Sequence, residues 1–379
     1  MAIPRLIGID LSGEGAHPAA WRAARHEPAA ALAPARLRAR LQAVERAGYA
    51  FAVLPDGPGD PAPGVQARLD AIELAAFAGA VTSRIGLVPV AGIRHAEPFH
   101  LANQLSSLDL GSHGRAGWIA RVVDDDALSG AYGRARATSD DALVGEAADV
   151  IRAVRLLWDT WEDDALVADI AQQRFVDVDR WHHADFVGET FSVRGPGLLP
   201  RPPQGQLVVW ADEHALSPRL APLVDVAVVH GVDADAIARA ADAARDRGIP
   251  RVVAAVEVLV DTRLASAAAR LHALDARAVW RAGRDARLLG TPSEVASGLA
   301  DVLRHVDGVL ARPAVIDEDA AAIAGEVREI LSETVPLRIP LSGETLREAL
   351  GLERPANAFA VRGDAHPAPA VLSTAGSPA

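Results

Sequence analysis

The chain alternates short apolar runs with longer segments in which apolar residues recur at the spacing of a helix. The runs are continuous, and do not alternate apolar with polar residues, which is typical of parallel strands that are covered on both faces. Eight of these runs predict strands, at 6–10, 51–54, 85–90, 117–123, 207–211, 224–229, 251–260 and 308–311.

Helical periodicity fills most of the spaces between the predicted strands. It predicts helices at 34–47, 69–81, 98–108, 141–157, 233–246 and 317–331. Eight strand–helix units in a chain of this length predict an α/β fold, a (β/α)8 TIM barrel. An open doubly wound sheet is the alternative, but it needs a glycine-rich turn after the first strand, and residues 11–15 match that motif only in part.

Two segments interrupt this rhythm. Residues 161–203 contain aromatic, glycine and proline residues and predict an excursion with short strands between the fourth and fifth barrel strands. Residues after 335 form a C-terminal extension, which we expect to return to the surface. We predict that the barrel domain covers residues 1–360. Residues 361–379, rich in proline, alanine and serine, predict a disordered tail.

Composition excludes several kinds of chemistry. All 38 basic residues are arginine, and the chain has no lysine and no cysteine. Schiff-base catalysis, lysine-dependent phosphate loops, disulfides and thiolate sites are therefore excluded. The net charge of −12 without basic clusters argues against nucleic-acid binding.

No apolar stretch approaches the roughly 18 residues of a membrane helix, and we expect no signal peptide. We therefore predict a cytoplasmic location and no association with a membrane.

Candidate site residues follow the predicted strands, because barrel enzymes carry their chemistry on the loops at the carboxyl ends of the strands. His17 follows the first strand, Asp56 the second, and His230 the sixth. Asp212 and His214 follow the fifth strand. A metal site could be built from Asp212, Glu213, His214 and His230. No spacing typical of metal-binding motifs supports it, so we predict no metal.

Short motifs distributed along the chain resemble those of a known family. The most specific is Trp-Asp-x-Trp-Glu-Asp-Asp-Ala-Leu at 158–166. The others lie at 17–22, 81–87, 95–102, 107–109, 114–118, 191–196, 204–205, 290–296 and 345–352. In this order they resemble the bacterial-luciferase-like flavin monooxygenases, in the branch of the nitrilotriacetate and dibenzothiophene-sulfone monooxygenases, over about residues 5–359.

The resemblance implies a (β/α)8 barrel, usually oligomeric, that binds reduced FMN supplied by a separate NAD(P)H:flavin reductase. With oxygen, such enzymes oxidise small organic substrates, so the partners implied are a transient reductase, the substrate and further copies of the chain. It implies that His17 and His230 line the substrate side as catalytic residues. It also implies cofactor contacts by the residues Asp56, Ala91, His214 and Ser217.

The chain departs from the family pattern at several flavin contacts. Asp212, Glu213 and His214 stand where the family has Gly-Ser-Ser to hold the FMN phosphate. Asp140 and Val144 stand where the family usually has a histidine and a tyrosine. Three interpretations stay open: a monooxygenase with an altered flavin pocket, a non-catalytic paralogue that has lost flavin binding, or a metal-dependent hydrolase on the same barrel.

Overall fold

The computed structural model describes residues 4–24, 26–27, 30–55, 69–124 and 126–360. The predicted cofactor residue Asp56 and the predicted tail 361–379 lie outside the described residues. The strands of the described chain are β1 (Leu6–Asp10), β2 (Phe51–Leu54), β3 (Gly86–Gly92), β4 (Gly117–Arg121), β5 (Leu166–Asp169), β6 (Arg174–Val176), β7 (Phe186–Val187), β8 (Ser192–Val193), β9 (Val208–Asp212), β10 (Val226–Val229), β11 (Arg251–Val260), β12 (Ala286–Gly290) and β13 (Gly308–Pro313).

Helices follow most of the barrel strands. They are α1 (Ala20–Ala23), α2 (Pro34–Arg46), α3 (Ala71–Val81), α4 (Pro98–Gly111), α5 (Asp126–Tyr132), α6 (Asp140–Asp159), α7 (Ala234–Asp246), α8 (Ala267–Asp275), α9 (Pro292–Leu303), α10 (Ile316–Ala322), α11 (Arg328–Ser332) and α12 (Leu346–Ala349), with a π-helical segment, Ile323–Val327, joining α10 to α11. Several begin at a side chain that accepts the free N–H groups of the first turn. These caps are Asp70, Ser139, Asp233, Ser266, Thr291 and Thr345.

Eight parallel strands close into a barrel, which confirms the predicted fold. Their order is β1-β2-β3-β4-β9-β10-β11-β13, and the barrel closes where β13 pairs with β1. Leu6 lies opposite Gly308 at this closure. Three of the predicted strands, β1, β2 and β11, match the structure residue for residue. Apolar side chains of the strands and of the surrounding helices form the buried core.

The strand β12 extends the sheet beyond the closed barrel and was not predicted. The ten-residue β11 is longer than its barrel neighbours, and its C-terminal half, from Val256 to Val260, pairs with β12. The pairing carries the segment before β12 to the carboxyl end of the barrel. This segment, residues 276–285, contributes charged side chains to the site described below.

The excursion between β4 and β9 follows the prediction. It contains two antiparallel hairpins, β5 with β6 and β7 with β8. Arg201 anchors it to the end of α6 through a buried ion pair with Asp159, at 2.9 Å. Trp161 donates from its indole nitrogen to the carbonyl of Gly197 at 2.9 Å, which closes the excursion on itself.

The C-terminal extension lies mostly at the surface, as predicted, but its short helix α12 packs into the barrel. Leu346 and Leu350 are 2% exposed and pack with the barrel core at the amino ends of the strands. Gly86 and Gly117 make room for Leu346, because a Cβ atom at either glycine would come within 3 Å of its methyl groups. The reason is apolar burial: without α12, the amino end of the barrel core would be open to water.

In the part of the chain that the structure describes, we find no helix with the length and apolar character needed to cross a membrane.

Candidate active site

A histidine held between two carboxylates lies at the carboxyl ends of the barrel strands. His230 follows β10, and its Nε2 lies 3.1 Å from Oδ2 of Asp212, the last residue of β9. Its Nδ1 lies 2.5 Å from Oδ1 of Asp285, which precedes β12. Because each ring nitrogen faces an acceptor, both must carry hydrogen, and the arrangement fits an imidazolium cation.

The pKa shifts of His230, Asp212 and Asp285, which together form a triad, agree with this geometry. Burial lowers the pKa of His230, but the hydrogen bonds to Asp212 and Asp285 outweigh it and raise the pKa overall. Burial raises the pKa of Asp212 and of Asp285, but their hydrogen bonds to His230 and neighbouring arginines lower both. The triad is therefore charged in the folded state.

Two arginines complete the cluster. Arg284 pairs with Asp212, with Nη1 at 3.2 Å from Oδ1. Arg312 of β13 pairs with Asp285, and its Nε lies 3.3 Å from Oδ2 of Asp10 at the end of β1. Three carboxylates thus face two arginines and one imidazolium, so the charges balance. We call this cluster the mouth network; its members are Asp10, Asp212, His230, Arg284, Asp285 and Arg312.

The turn that follows β9 carries the predicted residue His214. The side chain of Asp212 caps this 3-10 turn, Glu213–Ala215, because its Oδ1 accepts the N–H of His214 at 3.1 Å. The His214 side chain is 67% exposed, and its ring lies parallel to that of His230 at 6.3 Å. Glu213 buries one carboxylate oxygen, Oε2, which has no hydrogen-bond partner among the described residues.

Two other predicted cofactor residues have local structural partners. The hydroxyl oxygen of Ser217 accepts the N–H groups of Arg219 and Leu220, both at 3.2 Å, and so shapes the loop after β9. Ala91 is buried in β3, and its carbonyl accepts the indole N–H of Trp118 at 3.4 Å. Their contacts with a cofactor stay predictions.

His17 lies in a cluster of its own. It is 1% exposed, and its Nδ1 accepts the N–H of Ala19 at 3.0 Å, so Nε2 carries the hydrogen and donates to Asp275 at 3.2 Å. The ring packs against Trp280 with 5.1 Å between centroids. Burial lowers the pKa of His17 more than Asp275 raises it. A neutral histidine with both nitrogens engaged fixes the loop after β1; its catalytic role stays a prediction.

A cavity of about 330 Å³ lies beside the loop after β3. His95 stacks on Tyr132 with 4.7 Å between ring centroids, and both its ring nitrogens are buried without a partner among the described residues. Arg94 is buried nearby and donates to Glu146 at 2.8 Å. The cavity is lined by Ile93, Arg94, His95, Ala96, Glu97, Pro98, Tyr132, Arg134, Glu146, Val150 and Phe191.

The sequence placed Arg94 and His95 among the candidate residues, because they directly follow the third predicted strand. It did not predict a cavity there. The contribution of Tyr132 could not be foreseen, because α5, which carries it, has no strong apolar periodicity.

A metal-dependent site finds no support in the described residues. No group of three or more histidine, aspartate and glutamate side chains there is arranged to hold a metal ion. His230 has both ring nitrogens engaged by carboxylates, so neither is free to coordinate.

Comparison with known proteins decides the family. Residues 16–335 match the family model described as luciferase-like monooxygenase. The chain belongs to this family. One relative is the N-acetyl-S-(2-succino)cysteine monooxygenase of Bacillus subtilis (strain 168), 31% identical over 59% of this chain and 53% of the relative. Another is the dibenzothiophene-sulfone monooxygenase of Rhodococcus erythropolis, 35% identical over 40% of this chain and 33% of the relative.

These alignments define how far the comparison reaches. The matched part spans about half the length of the first of these curated relatives and a third of the second. Among solved structures, EDTA monooxygenase from Chelativorans sp. BNC1 superposes with a TM-score of 0.78 at 22% identity, covering 93% of this chain and 99% of that one. This likeness shows a shared fold.

Proposed function

We propose that this luciferase-like family member is a flavin-dependent monooxygenase that acts with molecular oxygen on a small organic substrate. The observation that carries the proposal is the match of residues 16–335 to the family model. The similarity to monooxygenases of organosulfur compounds supports it. In this proposal a separate NAD(P)H:flavin reductase supplies the reduced flavin, and the chain forms a homo-oligomer.

The cavity beside β3 is the proposed substrate site. Its volume is that of a small-molecule pocket, and Ile93, Val150 and Phe191 supply apolar walls. Burial, and after it the positive charge of Arg94, lower the pKa of His95. A neutral imidazole offers one donor and one acceptor, so His95 would orient a polar group of the substrate. The protein's contribution would be to position the substrate and exclude water.

FMN, the flavin that the resemblance implies, does not fit the turn after β9 at its phosphate end. A phosphate needs donors, and the N–H of His214 is already taken by Asp212. Asp212 is in turn held by Arg284 and His230, which neutralise its charge. The adjacent Glu213 brings a second carboxylate. The proposal therefore assigns no role to a phosphate at this turn.

The test begins with an anaerobic titration of the full chain with photoreduced FMN, FAD and riboflavin. Air is then admitted in the presence of candidate organosulfur compounds and amines, and their oxidation is measured. We expect at least one reduced flavin to bind with a dissociation constant below about 100 µM and to support oxygen-dependent oxidation of a substrate. His95→Ala is expected to raise KM at least tenfold. The matched control, His272→Ala, changes an exposed histidine of α8 and is expected to leave KM unchanged.

A second candidate function, a non-catalytic paralogue without a flavin, is favoured by the mouth network alone. Its carboxylates and cations satisfy one another, as they would in a site that no longer receives a cofactor. The same titration separates the two functions. If none of the three reduced flavins binds at about 1 mM, the monooxygenase proposal fails and the paralogue takes its place.

A further inference from the structure

The turn after β9 offers hydrogen-bond acceptors where the family resemblance places phosphate donors. One N–H group of this turn, that of His214, is occupied by the carboxylate of Asp212 at 3.1 Å. The side-chain oxygen Oε2 of Glu213, at the same turn, is buried and has no partner among the described residues. An unpaired buried acceptor favours a donor from a ligand and disfavours a second acceptor.

The charges around the turn also disfavour a phosphate. The mouth network is balanced, with three carboxylates facing two arginines and the imidazolium of His230. Glu213 adds a further negative charge, 3.9 Å from the exposed His214. Arg219, the arginine of the same loop, points to α6, where its guanidinium lies beside Gly145 and pairs with Glu189 at 3.2 Å. A dianion at this turn would therefore meet a net negative charge.

We propose that the turn Glu213–Ala215 selects a flavin whose side chain ends in a hydroxyl group over one that ends in a phosphate. A terminal hydroxyl can donate to the unpaired oxygen of Glu213, whereas a phosphate presents only acceptors and like charge. Riboflavin is such a flavin, and FMN is its phosphate ester. The inference rests on the proposed function, and it names the class of flavin that the function would use.

The experiment compares the two flavins directly. The full chain is titrated with oxidised riboflavin and with FMN, and binding is followed by flavin fluorescence at low and high ionic strength. We expect riboflavin to bind at least tenfold more tightly than FMN at low ionic strength. Added salt is expected to improve FMN binding and to leave riboflavin binding unchanged, because screening acts only on the charged ligand.

Glu213→Gln tests the residue that carries the argument. This variant keeps the shape of the side chain, removes its charge and adds donors, so we expect FMN affinity to rise at least fivefold while riboflavin affinity changes less than twofold. The matched control, Asp242→Asn, makes the same change of charge on the exposed face of α7 and is expected to leave both affinities unchanged.

The outcomes are distinguishable. If FMN binds as tightly as riboflavin to the wild-type chain, the selectivity is refuted while the flavin-dependent function stands. If Glu213→Gln leaves the ratio of the two affinities unchanged, the assignment to this turn is refuted. If riboflavin, FMN and FAD all fail to bind at about 1 mM in the reduced state, the proposed function itself fails.

Discussion

Asp109 at the end of α4 is predicted to make the stability of the fold depend on pH. The residue is 0% exposed, and its Oδ1 accepts from Gln204 at 2.7 Å and from the N–H of Ala116 at 3.2 Å. Its Oδ2 is buried without a partner among the described residues. Burial raises the pKa of Asp109 from its ordinary 3.8 to about 7, against the lowering effect of these hydrogen bonds.

The direction in which the stability changes with pH follows from proton binding. Between about pH 4 and pH 7 the folded state holds a proton that the unfolded state has already lost, so raising the pH favours unfolding. Each pKa unit corresponds to about 1.4 kcal/mol. Between about pH 5 and pH 8.5, the folded pKa of about 7 therefore costs the wild type about 3 kcal/mol of unfolding free energy. Asp109→Asn removes this titration and keeps an acceptor for Gln204.

The assay is urea denaturation of wild type and Asp109→Asn at these two pH values. We expect the variant to gain about 3 kcal/mol relative to wild type on going from the lower to the higher pH. Asp163→Asn serves as the control, because hydrogen bonds from Arg354 hold the pKa of Asp163 at about 2, below the range tested. The reasoning is refuted if the difference between wild type and Asp109→Asn stays constant within about 0.5 kcal/mol across that range.

Two further predictions concern the mouth network and the amino end of the barrel. His230→Ala removes the cation shared by Asp212 and the buried Asp285, leaving each with one arginine, and we expect a loss of about 3 kcal/mol in unfolding free energy at pH 6. Because the folded pKa of His230 is raised, this loss is expected to shrink as the pH rises through it, and an equal loss at pH 6 and pH 10 would contradict the assignment of an imidazolium. Gly86→Ala brings a Cβ to 2.6 Å from Leu346 and is expected to lower the unfolding free energy by about 1–3 kcal/mol. Gly111→Ala, where a Cβ meets nothing within 4 Å, is the control, and equal losses in the two variants would exclude crowding as the cause.

The barrel strands were predictable because their burial is recorded in the local pattern. A parallel strand covered on both faces needs a continuous apolar run, and β11 is such a run over its whole length, Arg251–Val260. The strand β12 lacks this pattern. Its sequence Ala-Arg-Leu-Leu-Gly is only partly buried, and it forms because the long β11 offers an unpaired edge beyond the barrel.

The sequence analysis missed several helices, among them α9, Pro292–Leu303, although this helix is amphipathic and begins with a capping box formed by Thr291 and Glu294. The α8 segment, Ala267–Asp275, is dominated by alanine and gives little contrast between its faces. Within the C-terminal extension, the sequence did not predict that α12 would enter the base of the barrel. Leu346 of α12 is buried there because Gly86 and Gly117 leave space for its side chain.

The candidate site was also predictable from the sequence only in part. The sequence placed Asp212 and His230 at the ends of neighbouring strands, and barrel topology then required them to be close. It could not predict that Asp285, 55 residues beyond His230, would supply the second carboxylate. It also could not predict the separation of His17, which pairs with Asp275 across 258 positions of the chain.

The sequence by itself therefore determined the eight-stranded barrel, the excursion, the absence of lysine and cysteine chemistry and the acidic turn after β9. Apolar runs, helical periodicity and residue identity are local properties, and they can be read along the chain. Only the tertiary structure decided how the charged groups pair at the mouth of the barrel, that Asp212 occupies the N–H of its own turn, and that His95 lines a cavity. Pairing and cavity shape depend on residues distant in sequence that packing brings together, so no local pattern records them.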